Sequence, residues 1–116
     1  MGVIARERSS PGGGQQIQTL AQVATPRIPV DGAIFNVTGT TGITGFDTTT
    51  PIIPGRVVVI LGIHATGPAY TDTAIASTAN GKIHLSGSLT QALGTSLTLF
   101  QNTNGSWIET ARAANG

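Results

Sequence analysis

The sequence predicts an all-β protein: a β-sandwich or jelly-roll-like domain of about 7–8 short strands carrying an extended N-terminal arm. Three observations predict it. From Ala33 onward apolar and polar residues alternate with a period of two, turn-forming residues recur at intervals of roughly 8–12 positions, and no internal stretch holds a convincing helical period. Residues 1–32 form the predicted arm, and residues 33–116 the sandwich domain.

The arm is set apart by Pro11 and the run Gly12-Gly13-Gly14. Glycine loses the most backbone entropy on ordering and proline lacks a donor, so this stretch reads as a hinge. After it, Ile17, Leu20, Ala21 and Ala24 are spaced as one face of a short helix, while Ile17, Thr19, Ala21 and Val23 alternate as a strand would. Thr25-Pro26 and Ile28-Pro29 favour an extended backbone. The segment has too few apolar residues to offset its own ordering entropy, so it is expected to order against another surface.

In the body, "AIFNVTG" is β-branched and aromatic and reads as a strand. "GITGF" reads as a short second strand, and "DTTTPIIPG" as a loop held by prolines. "RVVVILGI" is apolar on both faces, which predicts a strand covered on both sides. The second cover has to come from the arm, a loop or another subunit. "AYTDTAIA" follows as a weaker strand, and "NGKIHLSGS" opens on Asn80-Gly81, a strong hairpin signal. "LGTSLTLFQ" alternates, and "SWIETAR" returns after a second Asn-Gly at Asn104-Gly105. That turn is expected to pair the strand ending at Phe100 with the strand beginning at Trp107, whose indole is the largest single apolar area in a core poor in aromatics.

Charge is the most unusual feature of the composition. Asp, Glu, Lys and Arg make up 9% of the chain, against about 25% in soluble domains generally. Five of the eleven charges lie in the first 31 residues, leaving six for the other 85. A neutral body suggests an outside largely covered by copies of itself or by another protein; the eighteen threonines can also hydrate a sheet without charge. There is no cysteine to support disulfides or thiolate metal sites. The longest apolar run, Val57 to Ile63, falls far short of the roughly 18 residues of a membrane span. No signal-peptide apolar region is visible, and Arg6 stands where a myristoylation start needs Ser or Thr, so the chain is expected to be soluble and unprocessed. A net charge of +1 gives little grip on phosphate, so neither nucleic acid nor membrane is an expected partner.

Catalytic and metal chemistry find no constellation. His64, His84 and Asp72 lack a spacing that would put metal ligands on one face. Ser88 and Ser106 sit in ordinary turns without G-x-S-x-G, and Asp31, Asp47, Asp72 and Glu109 are scattered. "PGGGQ" lacks the G-K-[ST] ending of a phosphate loop. Two sequons, at Asn36 and Asn104, fit chance in a chain rich in Asn and Thr. No enzyme and no cofactor are expected. Glu109 and Arg112 are read as charge-assisted partners at an interface or sheet end.

The motifs "FNVTGTTGITGF", "PGRVVVILG", "TDTA", "NGKIHLSGS", "TSLTLFQN" and "GSWIETAR", in that order from Ala33 to Arg112, resemble a small β module of tailed-bacteriophage virion proteins. It recurs in capsid decoration proteins and in tail fibre and spike C-terminal domains. The resemblance implies a homotrimer with no catalytic residues. Two functions follow as expectations. The first is a capsid decoration (cement) protein on the virion surface, bound to the major capsid protein through its arm, with Arg6, Arg8, Ile17, Leu20 and Arg27 as contact residues. The second is a small tail-fibre or receptor-binding tip that contacts a host surface glycan through loops such as "HATGP" and "DTTTPIIP", with Tyr70, Phe46 or Trp107 the only aromatics that could serve a sugar site. In both, Val57, Val59, Leu61, Trp107, Glu109 and Arg112 are expected to serve as oligomer interface or core anchors.

Overall fold

Eight strands assemble into two sheets in a computed structural model that describes residues 16–115. The strands are β1 (Gln18–Thr19), β2 (Ile34–Val37), β3 (Val57–Gly62), β4 (Ala69–Tyr70), β5 (Ile83–His84), β6 (Leu89–Thr90), β7 (Thr95–Gln101) and β8 (Trp107–Ala114). Six of them form one sheet in the order β1-β2-β3-β7-β8-β5, and β4 and β6 form a small second sheet. Among the described residues the only helical piece is a single 3₁₀ turn at Ile75–Ser77. The protein is all-β and sandwich-like, as the sequence predicts.

The centre of the large sheet comes from the doubly apolar segment and the alternating one beside it. β3 pairs antiparallel with β7, and β7 with β8. Val58, Ile60, Leu97 and Leu99 turn to one side and are fully buried. Phe35 and Val37 of β2 join them, with Ile43, Phe46 and Tyr70 supplied from the opposing layer. Burying each large apolar side chain contributes roughly 1.5–3 kcal/mol, so this inner face carries most of the fold's stability. One polar group enters the core without being orphaned. The Gln91 side chain accepts a hydrogen bond from the Tyr70 hydroxyl and donates to the Ile60 carbonyl and Thr95 Oγ1.

The Asn104-Gly105 turn pairs Phe100 with Ile108 and Gln101 with Trp107, as expected. The Asn80-Gly81 turn does not make a hairpin. β5 instead runs parallel to β8, with Ile83 opposite Trp107, and the Gly81 amide donates to the Gly105 carbonyl while its carbonyl accepts from Phe46. Gly81 thus ties two distant loops together. The short strand expected at "GITGF" reduces to an isolated bridge between Ile43 and Tyr70. "AYTDTAIA" is a strand only at Ala69–Tyr70 before giving way to the 3₁₀ turn.

Part of the expected arm packs with the body. Residues 1–15 lie outside the described residues, but from Gln18 on the chain is part of the body. β1 pairs parallel with β2, Leu20 and Ile28 are buried, and Pro26 is enclosed. The short helix that one spacing allowed is absent there, and of the strand alternative only Gln18–Thr19 is formed. Leu20 and Ile28 join the same buried cluster as Phe35, Val58 and Ile60. The Arg56 guanidinium fastens the segment by donating to the carbonyls of Pro29 and Gly32.

Candidate functional site

The doubly apolar strand is the place to begin. Val58, Ile60 and Gly62 of β3 are buried, while Val57, Val59 and Leu61 point to the other side, where Val57 is 51% exposed and the other two are half-buried. That side stays partly open to solvent, so the second cover expected from the sequence is incomplete among the described residues.

The register extends this side across the sheet in three rows. Val57 lies beside Phe100 and Phe100 beside Ile108. Ile34, Val59, Thr98 and Ala111 make the second row. Asn36, Leu61, Ser96 and Ala113 make the third. None of these eleven side chains is ionisable. All are half-buried or exposed. The first row is wholly apolar. Monomeric proteins rarely leave a contiguous surface of this kind bare, and its usual meaning is a site of association.

The two late charges lie elsewhere. A β-bulge at Thr98/Leu99 inserts one extra residue in β8, so that Glu109 pairs with Leu99 and Arg112 with Leu97. Without the bulge, residues three apart on a strand would point to opposite faces. With it, both turn to the inner side, where the Glu109 side chain is only 3% exposed. Arg112 donates to both carboxylate oxygens of Glu109 and to the carbonyls of Gly87 and Ser88. Glu109 also accepts from the amide and hydroxyl of Ser86. The pair is a staple holding residues 86–88 beside β8.

Hydrogen bonding from Arg112, joined by Ser86, holds the Glu109 carboxyl at about 2, below its ordinary 4.5, against burial, which raises it. A carboxyl depressed in the folded state contributes stability that is fully present above the unfolded value and is lost as pH falls through the folded one. Unfolding free energy is therefore expected to decline from about pH 5 toward pH 2. The decline should be shallower in Glu109→Gln, as measured by urea midpoints at several pH values. Part of it should persist, because Asp47 is also lowered by bonds from the Thr49 amide and hydroxyl. Equal slopes in both proteins would contradict the staple.

The other singled-out residues disperse. Trp107 is buried, its ring 5.7 Å from that of Phe46 in an edge-to-face arrangement. Leu20, expected on a capsid-contact arm, is in the core; Ile17 and Arg27 are exposed, and Arg6 and Arg8 lie outside the described residues. Phe46, Tyr70 and Trp107 are each 7% exposed or less, so none offers a face to a sugar. His84 is buried between the Thr73 carbonyl and Thr78 Oγ1, and Ser106 is bonded to Asn104. Among the described residues no group of three or more His, Cys, Asp or Glu could hold a metal ion. No protein-family model, curated protein or solved structure matches the chain.

Proposed function

We propose that this chain is a non-enzymatic structural component of a bacteriophage particle. In this reading it is a homotrimeric capsid decoration protein on the virion surface, its N-terminal segment gripping the major capsid protein. One observation carries the reading: the outer side of the large sheet presents eleven side chains without an ionisable group, a surface that suits a protein working in an assembly. The likeness of residues 33–112 to virion β modules supplies the kind of assembly.

With Leu20 committed to the core, the attachment residues of this proposal contract to residues 1–15 together with exposed Ile17 and Arg27. Three such segments on one trimer would bind multivalently, gaining avidity without strong single contacts. The receptor-tip alternative has less support, since the three aromatics it relied on are buried.

Deleting residues 1–14 is expected to leave a folded oligomer that no longer binds empty capsid shells in a co-sedimentation assay. Retained binding by the truncated protein would rule out the N-terminal segment as the attachment element.

A further inference from the structure

We infer that copies of this chain join through the outer side of the large sheet, with β3 and β7 at the centre of the contact. The inference rests on the reading of a multi-copy assembly and names the contact surface. Three occupants could cover that side. The chain's own residues 1–15 bring Arg6, Glu7 and Arg8 with only Val3, Ile4 and Ala5 as an apolar stretch. Laid on this surface, those charges would lose water and meet no ionised partner, a cost that grows with burial. A differently charged protein surface meets the same penalty. The same side of another copy does not: it is equally uncharged, its Val, Ile, Leu and Phe side chains can interdigitate, and its Thr and Ser hydroxyls can bond to one another.

Area supports the same occupant. Four strands, β2, β3, β7 and β8, at a spacing of about 4.8 Å and crossed by about 20 Å of β3, give a flat footprint of roughly 380 Å² per copy, or roughly 770 Å² for a face-to-face pair. Side-chain relief adds to that, moving the contact toward the ~1,000 Å² that separates a specific interface from incidental packing. β3 and β7 are the middle two of these four strands, so a contact centred on this side brings Val59 and Thr98 toward their counterparts.

The test is sedimentation of the full chain at micromolar concentration, with Val59→Lys and Thr98→Lys on the outer side and Ile75→Lys as control. Ile75 is 62% exposed and lies in the 3₁₀ turn, outside the large sheet. Val59→Lys and Thr98→Lys are expected to fall to the monomer mass with an unchanged β circular-dichroism spectrum, while Ile75→Lys keeps the wild-type mass. The chain has no cysteine, which permits a second measurement that does not require a lysine to be tolerated. A short bifunctional thiol cross-linker should join Val59→Cys chains to one another and leave Ile75→Cys as single chains. If wild type is oligomeric but neither outer-side lysine disperses it and Val59→Cys stays uncrosslinked, the contact surface is wrong and the assembly reading survives. A monomeric wild type overturns both.

Discussion

Trp107→Ala is expected to lose about 3–5 kcal/mol of folding stability, the range for deleting a buried aromatic. Domains of this kind hold only about 5–15 kcal/mol in total, so the variant should be partly unfolded at 37 °C. The reasons lie in what the indole joins. It follows the Asn104-Gly105 turn, starts β8, and pairs with Gln101 of β7 on one side and Ile83 of β5 on the other. Its ring meets Phe46 edge to face, linking the large sheet to the loop that packs across it. Its amide donates to the Lys82 carbonyl, a bond the alanine variant keeps, so the loss reports on side-chain packing. Trp107→Phe should retain a good part of the stability. Urea unfolding followed by circular dichroism measures both, and a Trp107→Ala midpoint close to wild type would remove Trp107 as the core anchor.

Gly62→Ala should be nearly as damaging, at about 3 kcal/mol, the upper end of what overpacking costs. Gly62 ends β3 on the inner side, where an added methyl carbon would sit 2.2 Å from the Ala92 carbonyl oxygen and 2.7 Å from Thr95 Oγ1. The obstacle is backbone in a tight turn. Thr95 donates from its amide to Ala92, its hydroxyl bonds with both the amide and the carbonyl of Ala92, and the Gly94 amide donates to Gly62 itself. The turn cannot retreat without giving up several of these bonds, including those that let Thr95 meet Gln91 in the core. Gly55→Ala is the contrasting control for space, since a methyl carbon there meets nothing within 4 Å, although its φ of +83° adds some strain. Equal stabilities for Gly62→Ala and wild type would show that the turn yields freely.

The long strands were legible because each carries its own signal. β2 is β-branched and aromatic, β3 is a continuous apolar run, β7 alternates and β8 follows an Asn-Gly turn; burial alternates along β2, β3 and most of β7, but not along β8. The two-residue strands β4, β5 and β6 were not, since a pair of residues has no period to read. β5 is instructive: Asn80-Gly81 has the chemistry of a hairpin, yet its partner strand lies 24 residues further on and runs parallel, a pairing that only the folded chain makes visible. Leu20, Pro26 and Ile28 were hidden in a segment of low apolar density, where a lone apolar residue carries no periodic signal and its burial depends on tertiary packing.

The candidate surface was half legible. The sequence of β3 required a cover on both faces, but which residues share the outer side depends on register, and Phe100, Ile108 and Ala111 enter it only through pairing. For Glu109 and Arg112 the bulge at Thr98/Leu99 reversed the simple expectation, turning two residues three apart to the same inner side. Their charges are consumed in holding a loop, which leaves the outer side without any.

The account stands on that bare side being covered in solution. Sedimentation equilibrium of the full-length wild-type protein at micromolar concentration, in moderate salt near neutral pH, measures it directly. A mass that is a multiple of the 11.8 kDa chain, three-fold for the proposed decoration protein, is the predicted result. A well-folded single subunit at that concentration would contradict it.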